Sequence, residues 1–141
     1  MSSSRDHAAI EEGTQLRLDY EKTANAAATG SRVVPVVLQH ADSGEVLFIG
    51  YANALALAKT LETRTAVLWS TSRNEIWHKG ATSGDVLDLV DVRTNCEQNS
   101  LLYRVRPRGG VCHTRGGDGS TRRTCYYRVL DADGNTLRHQ L

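Results

Sequence analysis

Val33-Val34-Pro35-Val36-Val37-Leu38, a break at Asp42-Ser43-Gly44, and then Val46-Leu47-Phe48-Ile49 read together as a β-hairpin. The β-branched side chains are stiff about χ1 and favour extended backbone, and Asp-Ser-Gly supplies the turn between the runs. Immediately downstream, Asn53 offers a helix N-cap, and Leu55, Leu57, Ala58 and Leu61 fall near helical spacing. A helix over 53–62 is expected. Strand-like runs return at Thr65–Ser70, Ile76–Lys79, Val86–Arg93, Leu101–Val105 and Tyr126–Leu130. The expected fold is therefore mainly β (α+β), a compact single domain over residues 31–141 with one clear helix. Gly109-Gly110 and Gly116-Gly117-Asp118-Gly119-Ser120 flank cysteines and read as loops. Upstream, residues 1–30 are poor in large apolar side chains. They read as a flexible N-terminal extension with a helical turn or two around Ala8 to Leu16.

Bulk properties exclude several classes. The 141 residues suit one domain, 40% of them hydrophobic and 23% charged, and no internal repeat divides them. A net charge of +1 lacks the one-signed field that nucleic acid or a membrane surface requires. Basic residues cluster at Arg104, Arg106 and Arg108 and again at Arg115, Arg122 and Arg123. These form either a solvated face or contacts to a phosphorylated small molecule. No run approaches the ~20 apolar residues of a membrane span, and no apolar run follows the Ser-rich start. Three cysteines cannot pair off within one chain. A reducing compartment, the cytoplasm, is expected.

Cys96, Cys112 and Cys125 each lie at a strand end or in a loop, where side chains can converge on a point. Free cysteine is also among the most buried residue types, and no C-x-x-C pair is present, so inert core thiols and metal ligands both stand as readings. Three thiolates on zinc leave one tetrahedral position for water, whose pKa the metal lowers toward about 7. Thiolates weaken that effect by donating charge, so a nearby base would help. His113, next to Cys112, is the candidate, unless it is a loop histidine in solvent.

Six pieces of the chain resemble the phosphoribosyl-AMP cyclohydrolase family, in the family's order. They are Val46–Asn53, Lys59–Thr63, Trp69–Arg73 with Ile76–Gly84, Asn95–Leu102, Gly109–Thr114 and Thr124–Arg128. The most specific are Trp77-His78-Lys79-Gly80-Ala81-Thr82-Ser83-Gly84 and Gly109-Gly110-Val111-Cys112-His113-Thr114. The resemblance implies an intertwined homodimer with zinc shared across its interface, Cys96 coming from one subunit and Cys112 and Cys125 from the other. It implies hydrolysis at C6 of an N1-alkylated adenine ring by zinc-activated water, with cleavage of the N1–C6 bond, as in histidine biosynthesis. His113 would be the base or proton carrier. Lys79, Arg73 and the hydroxyls of Ser70, Ser72, Thr82 and Ser83 would meet the phosphates, although such hydroxyls also serve turns and strand edges. Trp69 and Trp77 would stack on the base or belong to the core.

The chain also departs from the family. Around Cys96 the family carries three aspartates that bind magnesium, and here those positions are Asn95, Glu97 and Asn99. Two amides remove two charges from a site for a hard cation, which argues against magnesium. Thr71 replaces an arginine, Ala81 a glutamate, and the loop Arg115–Arg123 between the last two cysteines is longer than usual. Three readings follow: the cyclohydrolase itself, a paralogue opening a different purine-like or cyclic amidine ring, and a non-catalytic zinc-stabilised dimer that binds a nucleotide.

Overall fold

The computed structural model describes residues 7–28 and 30–140. In chain order they form α1 (His7–Glu12), α2 (Glu21–Ala28), β1 (Val34–His40), β2 (Val46–Ala52), α3 (Ala54–Thr63), β3 (Val67–Ser70) and β4 (Glu75–His78). There follow β5 (Leu87–Thr94), β6 (Leu101–Pro107), β7 (Arg128–Leu130) and β8 (Leu137–His139). The fold is β-rich, as expected, and the opening hairpin forms in register, Val36 opposite Gly50 and Val37 opposite Ile49.

That hairpin does not stand alone. β1 pairs on its other side with β6, in parallel, and β6 pairs antiparallel with β5, giving one sheet ordered β2-β1-β6-β5. β3 and β4 form a separate two-stranded sheet, as do β7 and β8. Alternation along β1 buries Val36 and Leu38, which meet Leu47, Phe48, Leu68, Leu87, Leu89, Tyr103 and Val105 in one core. The parallel β1–β6 pairing and the strand β8 were not expected from the sequence.

α3 matches the expected helix closely. Asn53 caps it, its Oδ1 accepting the Ala56 N–H at 2.9 Å, and Arg64 closes it in the left-handed region at φ 57°. The buried face carries Ala56 and Thr60, and packs on β2 and β3. Thr60 is fully buried; its hydroxyl lies 2.9 Å from the Ala56 and Val67 carbonyls and accepts the Val67 N–H at 3.0 Å. A Thr60→Val substitution keeps the shape and strands these groups, so unfolding in urea should show a loss of about 1–3 kcal/mol. A change below a few tenths would mean that the hydroxyl does not tie the helix to β3.

The N-terminal stretch, expected to be loose, has definite partners over residues 7–16. Gln15 forms a β-bridge with Thr136, Leu16 N–H donates to the Asn135 carbonyl at 2.8 Å, and Leu137 N–H donates to Thr14 at 2.6 Å. The extension thus lies against the β7–β8 hairpin. The physical reason is backbone satisfaction: N–H and C=O groups at the turn and start of β8 pair with the segment through a single bridge. Residues 1–6 of the expected extension lie outside the described residues.

Candidate active site

The site is built from two loops brought together over β2. The first is the turn after β4, in which Gly80 has φ +81° and Gly84 φ +85°. Lys79, just ahead of it, is buried, and its ammonium donates to the Asp85 carbonyl at 3.3 Å. Burial holds the Lys79 ammonium below the usual lysine range, against the pull of Asp85 and of the two nearby cysteines. The second is the segment from Gly109 to Cys125. Gly110 must be glycine, because a Cβ there would stand 1.5 Å from the Thr121 hydroxyl.

Within that segment, the long insertion closes on itself. Arg115 bridges to Thr121, Gly116 N–H donates to the Ser120 carbonyl at 2.9 Å, and Asp118 accepts from both the Ser120 N–H and hydroxyl. At its base the Arg122 carbonyl accepts the N–H groups of Val111 and Cys112, each at 2.9 Å. Cys125 N–H donates to the Leu47 carbonyl at 2.8 Å, which fixes the return strand on β2. The insertion is therefore a small hairpin whose stem delivers Cys112 and Cys125 to the same place, whatever its length.

The two sulfurs face the same cavity and act on one another's titration. Cys112 is held down to about 5, first by the Cys125 thiol, then by the hydroxyl and N–H of Thr114 and by His113, against the cost of its burial. The Thr114 oxygen lies 3.0 Å from the Cys112 sulfur. Cys125 is pushed up by Cys112 and by the atoms packed around its sulfur.

A cavity of about 720 Å³ opens over this pair. Of the residues expected from the sequence, Arg73, Trp77, Lys79, Thr82, Ser83, Cys112, His113 and Cys125 all line it. Trp69, Ser70 and Ser72 do not. Trp69 packs partly buried against the core, and the Ser70 hydroxyl accepts the Arg73 N–H at 3.2 Å and lies 3.3 Å from that of Ser72, inside the β3–β4 turn. Of the basic cluster Arg115, Arg122 and Arg123, only Arg115 lines the cavity, and the sequence reading missed Ser120 and Thr121 beside it. Nothing local told an inward loop from an outward one.

Cys96 lies apart, exposed in the turn between β5 and β6. Among the described residues of one chain, no three His, Cys, Asp or Glu side chains gather where they could hold a metal ion. Two soft thiols meeting at a cavity suit zinc. The neighbours of Cys96 do not suit magnesium. Asn95 Nδ2 donates to Asn99 Oδ1 at 2.6 Å, Asn95 Oδ1 accepts the N–H groups of Asn99 and Ser100 at 3.0 Å each, and Asn99 Nδ2 donates to Glu97 at 3.4 Å. These donors are used on one another to close the turn, with Gln98 at φ 53°. They leave no set of charged oxygens for a hard ion.

Fold and cavity belong to a hydrolase, one of the cyclohydrolases that act on a cyclic amidine C–N bond. The sequence pattern described as phosphoribosyl-AMP cyclohydrolase matches residues 48–127, which hold the whole of the cavity lining. The chain belongs to the phosphoribosyl-AMP cyclohydrolase family. It is 48% identical over 101 residues to the phosphoribosyl-AMP cyclohydrolase of Caulobacter vibrioides, covering 70% of this chain and 68% of that one. It is 43% identical over 121 residues to the Thermobifida fusca protein of the same name, covering 86% and 96%. A histidine biosynthesis bifunctional protein HisIE of Thermus thermophilus is 46% identical over 98 residues, covering 70% of this chain and 43% of its own. Among the described residues no helix is long and apolar enough to cross a membrane.

Proposed function

We propose that this chain is a zinc-dependent phosphoribosyl-AMP cyclohydrolase of histidine biosynthesis, active in the cytoplasm as a homodimer that completes each zinc site with Cys96 of the other copy. The observation that carries the reading is the Cys112–Cys125 pair at a cavity lined by Lys79, Arg73 and His113. Zinc, when bound by these thiolates, supplies a Lewis acid and activates water near neutral pH.

The chain's own residues do the rest. Arg73, Lys79 and Arg115 bring cations to the cavity, beside Asp85, and the Thr82, Ser83 and Ser120 hydroxyls can donate to phosphate oxygens. Arg115 returns to the cavity a guanidinium of the kind missing at Thr71. Trp77, tilted against Phe48 with ring centroids 6.1 Å apart, offers an aromatic surface to the base. Alkylation at N1 makes the purine amidinium-like, so C6 is electrophilic. Water adds across the N1–C6 bond: its oxygen goes to C6, one proton reaches N1 as that bond breaks, and the second leaves as the amidinium becomes a neutral carboxamide. His113 carries the proton that reaches N1.

Identities of 39–48% to proteins named for this activity favour this reading over a paralogue acting on another ring. Zinc-loaded protein is expected to convert phosphoribosyl-AMP to the ring-opened carboxamide at a kcat on the order of 1–100 s⁻¹ and to ignore unphosphorylated purines. No product from phosphoribosyl-AMP, with another cyclic amidine opened instead, would replace this proposal by the paralogue.

A further inference from the structure

We infer that Glu11 is a positioning residue for His113, so that a segment ahead of the matched family region forms part of the working site. This rests on the role given to His113 above. Glu11 Oε2 stands 2.5 Å from Nε2 of His113. An ionised carboxylate only accepts, so when the imidazole is neutral its proton sits on Nε2, facing Glu11, and Nδ1 has the free lone pair. The His113 side chain is 77% exposed. On an exposed loop an imidazole has several rotamers of similar energy, and one fixed acceptor selects among them.

Glu11 is itself fixed. The Tyr127 hydroxyl donates to its carbonyl at 2.6 Å, and the Arg128 guanidinium donates to the Ile10 and Gly13 carbonyls at 2.8 and 3.0 Å. Next to it, Glu12 accepts both terminal nitrogens of Arg122, at 2.7 and 2.9 Å. Arg122 is buried, its guanidinium 3.9 Å from the centre of the Tyr127 ring. These anchors come from the segment that also carries Cys112, His113 and Cys125. Carboxylate and imidazole are thus mounted on one frame, unlike a surface ion pair of two free side chains, which contributes little. The frame has a second consequence: the insertion, through Arg122, holds the helix that holds His113.

The test compares Glu11→Ala, Glu11→Gln and wild type as full-length chains. With zinc-loaded protein, Glu11→Ala should lower kcat about tenfold with little change in KM, and Glu11→Gln, whose amide oxygen still accepts Nε2–H, should recover to within about threefold of wild type. Long-range ¹H–¹⁵N spectra of the metal-free chains should show His113 as the Nε2–H tautomer in wild type and Glu11→Gln, and as a mixture in Glu11→Ala. An unchanged tautomer in Glu11→Ala overturns the inference, as does an unchanged kcat; a raised kcat would make Glu11 a restraint on His113 instead. If wild type fails to turn over phosphoribosyl-AMP, the proposed function fails, and the spectra still decide the role of Glu11.

Discussion

A Cys96→Ser chain and a Cys112→Ser chain, each inactive alone, should recover about one quarter of wild-type turnover when unfolded together in equal amounts and refolded. Separately, each should lose its zinc and fall at least about a thousandfold in kcat. The recovery follows from where the thiols lie. Cys112 and Cys125 line one cavity in one chain, while Cys96 lies in a turn away from it. In a mixed dimer one site takes its Cys96 from the Cys112→Ser chain and its other two thiols from the Cys96→Ser chain, and is intact; the second site is doubly broken. Half the dimers are mixed and half their sites work, hence the quarter. If all three ligands came from one chain, every site in every dimer would be damaged and the mixture would stay inactive. Zinc retained at one per chain by Cys96→Ser would refute the ligand assignment outright.

The second large effect is on stability. Gly80→Ala should destabilise the fold by about 3 kcal/mol or more, read as a lowered urea midpoint at unchanged slope. Two penalties coincide there. The backbone is in the left-handed region, and a Cβ would stand 2.3–2.4 Å from the Asp85 carbonyl group and the Val86 nitrogen. Those are backbone atoms and cannot swing away. Gly84, four residues on, has the same sign of φ and nothing within 4 Å, so Gly84→Ala should cost only the conformational part, about 1 kcal/mol. Equal losses for the two would show that the close approach at Asp85 does not hold the turn. Because Lys79 leans on the same Asp85 carbonyl, surviving Gly80→Ala protein should also bind substrate less tightly.

What the sequence revealed and what it hid divide along physical lines. The β1–β2 hairpin was legible because residues 33–49 carry both the extended preference and the turn chemistry within one short span. α3 was legible because Asn53 and the leucine spacing are likewise local. The parallel pairing of β1 with β6 was not, since Val36 meets Leu101 across the whole intervening chain and neither strand bears a mark of its partner. β8 is three residues long, too short for alternation to show. Cys112 and Cys125 were grouped by resemblance, not by spacing, because a hairpin stem rather than a fixed interval joins them. Trp69 illustrates the ambiguity of a tryptophan in a strand: the stacking reading named it beside Trp77, and only Trp77 reaches the cavity. Glu11 was invisible altogether, for its contact with His113 joins opposite ends of the chain.

The parallel pairing also dictates an order of events during synthesis. β1 emerges from the ribosome beside β2 but waits for β6, whose last residue is Pro107, before its second edge is covered. During that interval, several seconds at ordinary elongation rates of about 5–20 residues per second, a strongly apolar hairpin presents an open edge. The nascent chain is therefore most exposed to sticking and chaperone capture in the interval before β6 emerges.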